Sequence, residues 1–467
     1  MNLLNAKSKN KITLFNMAST IVLQGLAFFS GPIFSSMLGT TNYGIAAVYL
    51  TWVQIASTVF SLRAGDAIAV ARINFPLEDQ KKYQSSTMSL ASIAFAGFSI
   101  ITLGGTFLTR NIFHFNIPMI ALGLSNGWGL YCVSFMNLKY TYEFKAGRNF
   151  VLSVLTSGLT ITTSIILIHL YSNEKNYWGR IIGQSVIYTV IGLLLLTFML
   201  RAGKEIYSKE YWRFTLPITI PTIFHSLAHI VLNQSDKVMI QGMVNNSAAG
   251  IYALAGTFSA VMNAIWHAFN NSWVPFYYEY TRQDQIAKMK KHARNYIELF
   301  TIVAMGFILL SREVFHLYAA NRDFWPGTDL IPLFTIGYYF VFLYSFPVNY
   351  EFYNKKTKTI AIGTTAAATA NIVLNYIMIK WWGIIGAVIA TAIAHGMQFG
   401  FHFICAKRIK PREFPFSFAQ FIPGLLAVCG TCVLYWLTRD LWIVRWGIGV
   451  AIGMYLLVKI IKRKEIF

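Results

Sequence analysis

The stretch Asn233–Gly242, with the sequence NQSDKVMIQG, places an aspartate and a lysine near the end of a long apolar segment. A short polar turn and a second apolar segment follow at once in Met243–Tyr252, MVNNSAAGIY. Charged side chains are costly inside a bilayer, where they mark ion or substrate pathways. Asp236 and Lys237 are therefore the first candidates for function, and the apolar segments around them decide the fold class.

Composition predicts an all-α integral membrane protein. The 467 residues are 55% hydrophobic and only 12% charged, whereas about 25% of residues are charged in an average soluble protein. Most of the apolar segments are long enough for a helix to cross a bilayer. We count about fourteen such segments, at 12–37, 43–62, 84–108, 112–137, 148–171, 178–200, 214–242, 247–276, 295–320, 328–353, 359–379, 382–406, 415–437 and 440–461.

The basic residues predict the orientation of these helices. With a cytoplasmic amino terminus, 30 of the 39 Lys and Arg residues fall on the inner side and 8 on the outer side, and Lys237 lies within a segment. Lys and Arg are enriched in cytoplasmic loops of membrane proteins. The formal charge of +21 therefore indicates membrane topology, with both termini cytoplasmic, and no nucleic-acid partner.

The sequence carries no pattern typical of an enzyme or a metal site. Cys429 and Cys432 have the C-x-x-C spacing, but they lie inside an apolar segment without a βαβ context. The chain has no H-E-x-x-H pattern and no Gly-rich phosphate loop after a strand. We therefore predict that the protein is not an enzyme and has neither a metal centre nor a catalytic residue.

A weak internal repeat predicts how the helices are grouped. An offset of 206 residues aligns 37–47 with 243–253 and pairs Met37 with Met243, Thr41 with Ser247, Gly44 with Gly250, Ile45 with Ile251 and Ala47 with Ala253. Both copies fall at the outer turn after the first helix of a six-helix block. We predict two pseudo-symmetric lobes around a central cavity, 1–205 and 206–410, followed by a helix pair at 411–467.

Three motifs resemble a known family. The first is Ser235–Gly242 followed by AGIY at 249–252, and the second is Asn371–Ile379, NIVLNYIMI, followed by GIIGAVIAT at 383–391. The third lies in the first lobe, at Leu38-Gly39 and 42–45. Together they are similar to polysaccharide-lipid flippases of the multidrug/oligosaccharidyl-lipid/polysaccharide exporter superfamily, including the O-antigen flippases. Gln241 departs from the family pattern before Gly242.

The resemblance implies a function, a substrate and a location. A flippase of this kind moves undecaprenyl-pyrophosphate-linked oligosaccharide from the cytoplasmic to the outer leaflet of the bacterial inner membrane. Its partners would be that glycan, membrane lipids and, in the same pathway, a polysaccharide polymerase and chain-length machinery. The resemblance implies no bound cofactor, and transport would be coupled to H⁺ or Na⁺.

Such a substrate needs a polar, cationic cavity for its pyrophosphate and its sugars. Arginine suits the phosphate because it binds phosphate through two parallel hydrogen bonds. Arg63 and Asp66 follow the second segment and are three residues apart, so they would pair if that helix continues through 67–71. Arg63 and Asp66 either line the cavity or form a basic anchor with a local partner at the inner end of the helix. Asp236 would hold a coupling ion or pair with a neighbouring helix, and Lys237 would line the cavity or extend to the outer interface.

Two polar stripes complete the candidate substrate site. Amide and imidazole groups at helical spacing face one side and can bond sugar hydroxyls, or they join packed helices. The stripe on the seventh segment consists of His225, His229 and Asn233, and the same segment contains Pro217 and Pro221. The stripe on the eighth segment consists of Asn263, His267 and Asn270.

Two other functions remain open at this stage. A cation-coupled multidrug exporter of the same superfamily would need acidic residues in its cavity, and few of the 18 acidic residues lie away from loops. A membrane-embedded glycan polymerase or ligase usually has a large outer loop, and every predicted outer loop is short.

Overall fold

The computed structural model describes residues 6–109, 115–171, 174–411 and 413–463, and within these ranges the regular elements are all helical. Arg110 and residues 112–114 of the fourth predicted segment lie outside the described residues. The α-helices are α1 Ala6–Phe60, α2 Ile68–Asn74, α3 Gln80–Thr109, α4 Ile117–Tyr142, α5 Ala146–Leu170, α6 Tyr177–Gly203, α7 Lys209–Met243, α8 Asn246–Arg282, α9 Ile286–Tyr318, α10 Ile331–Tyr353, α11 Thr357–Ile409, α12 Ile422–Leu437 and α13 Trp442–Arg463. Short 3-10 helices span Ala64–Ala67, Arg322–Leu330 and Phe418–Gln420.

The prediction of an all-α membrane protein is confirmed. Ten helices in the described ranges are long and apolar enough to cross a membrane. A helix satisfies its own backbone hydrogen bonds, which is why it is stable in hydrocarbon. The predicted apolar segments fall on these helices and on α9 and α13, with two pairs of segments merged into α1 and α11.

The two merged helices are each broken at one glycine. Gly39 in α1 has φ 66° and ψ 174°, and Gly383 in α11 has φ 55° and ψ −134°. Residues with a Cβ rarely adopt these backbone angles, so glycine is required where the helix changes course. Each break gives a long helix two halves, residues 6–38 and 40–60 in α1 and residues 357–382 and 384–409 in α11.

The chain divides into two compact units, Met1–Ile230 and Val231–Phe467, with the boundary inside α7. In the first unit, α4 packs against α1, α5 and α6. Tyr131, Phe135 and Met136 on α4 are buried in this packing.

The second unit is built on an aromatic core. Helix α10 packs along α11 and also against α8 and α9. Burial of aromatic rings supplies large apolar area and favourable edge contacts. The rings of Trp273, Tyr296, Phe300, Phe342 and Phe346 lie in one buried cluster.

The helix pair α12 and α13 belongs to this second unit and packs on α9. Arg445 of α13 is fully buried and pairs with Glu313 of α9. Its guanidinium also donates a 3.0 Å hydrogen bond to the backbone oxygen of Leu309. A buried ion pair with additional hydrogen bonds therefore fixes the last helices to the rest of the unit.

Candidate functional site

A strained turn positions Arg63 in the first unit. Helix α1 ends at Phe60, and Leu62 and Arg63 have positive φ values of 53° and 47° before the 3-10 helix Ala64–Ala67 begins. The expectation that this helix continues inward is therefore wrong. Non-glycine residues in the left-handed region carry a backbone cost, so the surrounding structure must hold this turn in place.

Arg63 and Asp66 form the expected pair across this turn. Arg63 Nε lies 2.6 Å from Asp66 Oδ2, and its Nη2 lies 3.0 Å from Oδ1. Thr222 Oγ1 of α7 lies 3.1 Å from Asp66 Oδ2. The Arg63 side chain keeps 33% of its surface exposed, so an incoming anion can reach the guanidinium.

The pair lines a polar cavity, called here the Arg63 pocket, of about 250 Å³. Hydroxyl and amide groups of α1 and α4 surround it, and the buried hydroxyl of Tyr131 has no hydrogen-bond partner. The pocket therefore offers a guanidinium for an anion and neutral polar groups for hydroxyls. Its polar lining residues are Gln54, Ser57, Thr58, Ser61, Arg63, Asp66, Tyr131 and Ser134.

The second unit contains a buried polar cluster around Asp236. The Asp236 side chain is 2% exposed, and its carboxylate accepts hydrogen bonds from three neutral groups. Thr391 Oγ1 donates to Oδ2 at 2.7 Å and Asn375 Nδ2 donates to Oδ1 at 2.5 Å, while the Tyr252 hydroxyl also donates to Oδ2. Within the described ranges, Asp236 has no ion-pair partner.

Asn371 extends this cluster, which we call the Asp236 network. It accepts a 3.0 Å hydrogen bond from Asn375 and donates one of 3.0 Å to Thr391 Oγ1. The side-chain oxygen of Asn375 is buried and has no hydrogen-bond partner. The network consists of Asp236, Tyr252, Asn371, Asn375 and Thr391, contributed by α7, α8 and both halves of α11.

The Asp236 network has the chemistry of a site for a hard monovalent cation or a proton. Carboxylate, amide and hydroxyl oxygens are the ligands that such ions prefer, and one carboxylate balances one positive charge. Among the described residues, no group of three His, Cys, Asp or Glu side chains is arranged to hold a metal ion.

Lys237 forms no ion pair with Asp236, as expected for adjacent helical residues. Its Nζ donates a 2.7 Å hydrogen bond to the side chain of Gln234, and the side chain is half-buried. Asp236 and Lys237 therefore have different hydrogen-bond partners and need separate tests.

The polar stripes lie partly on exposed helix faces. His225, His229 and Asn233 of α7 are exposed, which is compatible with a polar ligand reaching them. On α8, His267 is exposed and its ring packs against Trp266 at 4.3 Å. Asn263 and Asn270 are half-buried.

Sequence reasoning missed the partners of Asp236. Asn371, Asn375 and Thr391 belong to the quoted motifs, but the sequence alone assigns them no role. Two asparagines four residues apart on an apolar helix were the available signal, since polar side chains inside a membrane need partners. The buried residue Glu351 was also missed, because it lies close to the end of α10.

The comparisons with known proteins agree with this fold. A family model described as polysaccharide biosynthesis protein matches residues 10–281. The chain belongs to the polysaccharide biosynthesis protein family. One relative, Lsg locus putative protein 1 of Haemophilus influenzae, is 20% identical over 385 residues, which cover 78% of this chain and 92% of that protein.

Two solved structures show how widely the fold is shared. The lipid II flippase MurJ in an inward closed conformation has a TM-score of 0.70 at 18% identity, covering 97% of this chain and 99% of its own. An inward-facing multidrug resistance MATE family transporter of the MOP superfamily has a TM-score of 0.59 at 13% identity. The match covers 83% of this chain and 96% of that transporter. At these identities the likeness establishes the fold, and these neighbours are transporters and not enzymes.

Proposed function

We propose that this protein is a flippase that moves an undecaprenyl-pyrophosphate-linked oligosaccharide repeat from the cytoplasmic to the outer leaflet. The observation that carries the proposal is the Arg63 pocket, a cavity lined by a guanidinium and by neutral polar groups and formed by membrane-spanning helices of a polysaccharide biosynthesis family member. A lipid-linked glycan needs such a cavity for its pyrophosphate and sugars, while its hydrocarbon tail is stable in the bilayer.

Arg63 would bind the pyrophosphate by exchanging one anion for another. Its guanidinium now makes a two-point contact with the Asp66 carboxylate. A phosphate group presents a similar pair of oxygens, and guanidinium–phosphate pairs form the same parallel hydrogen bonds. Asp66 would keep its contact with Thr222 when Arg63 turns to the substrate.

The neutral groups of the pocket would orient the glycan. Gln54 and Ser134 are exposed at the pocket, and Thr58 lines it. Amide and hydroxyl groups both donate and accept, which suits the hydroxyls of a sugar. The stripes on α7 and α8 and the cation of Lys237 are proposed as glycan contacts in their own right.

The Asp236 network would couple transport to a cation gradient. The buried oxygen of Asn375 and the carboxylate of Asp236 fit a site that binds Na⁺ or a proton. When bound, the ion would neutralise a carboxylate that is otherwise buried without a cationic partner, which lowers the cost of burial.

The direction of transport rests on topology. Basic residues at the inner helix ends support a protein of the bacterial inner membrane with both termini cytoplasmic. We propose alternating access of the lobes 1–205 and 206–410, with 411–467 as an accessory helix pair. The polymerase and chain-length machinery of the pathway would receive the flipped repeat, and the protein itself would catalyse no bond change.

A strain lacking the gene tests the proposal. Under the flippase hypothesis, completed lipid-linked repeats accumulate on the cytoplasmic leaflet, where glycosidases or labels added outside the cell membrane do not reach them. Under the polymerase or ligase hypothesis, unpolymerised repeats accumulate on the outer leaflet. A multidrug exporter would instead leave surface polysaccharide unchanged and alter drug sensitivity.

The Arg63→Ala variant tests the pocket within this experiment. Arg282 provides a matched control, because it also pairs with an acidic residue three positions away, Glu279, but at the exposed end of α8. At equal membrane levels, Arg63→Ala should abolish complementation and Arg282→Ala should preserve it. Full surface polysaccharide with Arg63→Ala would remove the pocket from the transport pathway.

A further inference from the structure

A buried acid–base pair lies in the second unit, apart from the residues of the Asp236 network. Glu351 of α10 and His402 in the second half of α11 approach to 2.6 Å between Oε2 and Nδ1. Both side chains are 0% exposed. Histidine and a carboxylate at this distance can share one proton, which neither an arginine nor an amide partner permits.

The pair is poorly suited to a purely structural role. Glu351 Oε1 and His402 Nε2 are both buried and have no hydrogen-bond partner. A buried ion pair compensates its loss of hydration only when its remaining polar atoms are also bonded. Glu313 and Arg445 are such a well-bonded pair, since Trp446 and two backbone oxygens supply further hydrogen bonds.

The pair joins three helix segments. A Cβ atom on Gly363 would lie 2.3 Å from His402 Nε2, so the imidazole is in close contact with the first half of α11. His402 belongs to the second half, beyond the break at Gly383, and Glu351 belongs to α10. A change in the charge of the pair therefore acts directly on the contact between the two halves of α11.

The pair also lies near the basic ends of its helices. Glu351 precedes the end of α10 by two residues, a rise of about 3 Å. Its backbone oxygen accepts a 2.9 Å hydrogen bond from Lys356 in the following turn. In the proposed topology this turn is cytoplasmic, so a small opening there would connect the pair with cytoplasmic water.

Titratable and basic residues also lie on the segments that carry the pair. On α10, the ring of Tyr344 lies 5.0 Å from the His402 ring. Cys405 and the basic residues Lys407 and Arg408 follow His402 in the second half of α11. Gly363 of the first half contacts the His402 ring, and Lys356, just before α11, bonds to the backbone of Glu351.

We infer that Glu351 and His402 form a proton-binding site that loads and releases one proton from the cytoplasmic side during the transport cycle. One proton from water converts ionised Glu351 with neutral His402 into a pair with no net charge, held as Glu⁻/HisH⁺ or GluH/His. Release returns the proton to water and leaves one buried negative charge. The role in transport rests on the proposed function, whereas proton binding itself does not.

Infrared difference spectroscopy on the purified full-length protein tests proton binding directly. Between about pH 5 and about pH 9, wild-type protein should show a reversible change in carboxyl and imidazole bands. Glu351→Gln and His402→Gln should each remove that change, because the shared proton needs both groups. Glu313→Gln should retain it, because the guanidinium of Arg445 does not release its proton.

Nitrogen-labelled histidine provides a second readout, which is taken on the wild-type protein. In wild-type protein the His402 ring signal, assigned by its absence from His402→Gln, should change over the same pH range. A His402 signal and Glu351 bands that stay constant across this range would overturn the inference, since the pair would then be a fixed ion pair.

Transport assays separate this inference from the proposed function. In cells, Glu351→Gln should lower surface polysaccharide and flatten its dependence on external and internal pH, whereas Glu313→Gln should leave the pH profile unchanged. If the gene restores surface polysaccharide but the Glu351–His402 pair shows no spectroscopic change with pH, the proposed flippase function is supported and the proton-binding site is rejected. If the pair changes with pH but loss of the gene does not alter surface polysaccharide, the proton-binding site is supported and the proposed flippase function is rejected.

Discussion

Asn375 donates a hydrogen bond from its side-chain nitrogen to Oδ1 of Asp236 at 2.5 Å, although 139 residues separate the two along the chain. Thr391, 155 residues from Asp236, donates to the other carboxylate oxygen. Together these contacts bind the end of α7 to both halves of α11. The buried carboxylate is thus a point at which ion binding can act on helix position.

Loss of one donor to Asp236 should therefore impair both stability and transport. Thr391→Val removes the hydroxyl but keeps the side-chain shape, leaving the carboxylate with one fewer hydrogen bond. We expect a loss of about 1–3 kcal/mol in unfolding free energy and reduced surface polysaccharide. Thermal unfolding of the purified variants and a complementation assay measure the two effects.

Thr369→Val is the matched control, because Thr369 is on the same helix but exposed, with only a backbone partner. Thr391→Ser, which restores the hydroxyl, should recover most of the loss. Equal effects of Thr391→Val and Thr369→Val would contradict the importance of the network.

The helix break at Gly383 should tolerate no side chain. Its φ of 55° with ψ of −134° is a conformation of glycine, so Gly383→Ala should cost about 1–3 kcal/mol of stability or straighten α11. Thermal unfolding gives the magnitude. Gly430→Ala in α12, where a Cβ would meet no atom within 4 Å, should be neutral or slightly stabilising, and a similar loss at both positions would refute the prediction.

The pair Arg445–Glu313 should be required for docking of the last two helices. Arg445→Met leaves Glu313 without its cation, and breaking a buried pair costs about 3–5 kcal/mol, less here because Glu313 keeps 30% of its surface exposed. Limited proteolysis between α11 and α12 measures the loosening. The double variant Arg445→Met/Glu313→Met should be more resistant than the single variant, and the reverse order would exclude this explanation.

Glu143, which follows α4, should make stability depend on acid. Burial raises the pKa of this carboxyl, but hydrogen bonds and charge from Lys139 and Lys145 outweigh burial and hold the pKa below its usual value. The folded pKa is thus depressed, so this stabilisation is present above about pH 4.3 and is lost as pH falls through the folded value. In Glu143→Gln, the melting temperature should no longer fall with this acid transition. If the melting temperature of the variant depends on pH in the same way as that of the wild-type protein, the contacts of Glu143 with Lys139 and Lys145 contribute nothing to stability.

The sequence predicts the fold class well because hydropathy and charge act locally. Each apolar segment has to be a helix in a bilayer, so its position follows from composition alone. The turn at Leu62 and Arg63 was not predictable in this way, since both residues have positive φ values that leucine and arginine rarely adopt.

The sequence identified individual candidate site residues, but it did not show which of them contact each other. Spacing brought out the Arg63–Asp66 pair because only three positions separate them. The contacts of Asn375 with Asp236 and of His402 with Glu351 join residues that are 139 and 51 positions apart, and no period or spacing rule encodes them. Glu351 in particular looks like an ordinary loop-end acid until the fold buries it.

The most direct test of the central proposal is a flipping assay in vesicles that contain the purified protein and a fluorescent undecaprenyl-pyrophosphate oligosaccharide. A membrane-impermeant quencher added outside reports how much substrate changes leaflets. We predict rapid movement with wild-type protein and with Arg282→Ala, and movement no faster than in protein-free vesicles with Arg63→Ala. Equal rates for wild-type protein, Arg63→Ala and protein-free vesicles would contradict the assignment of this protein as a flippase.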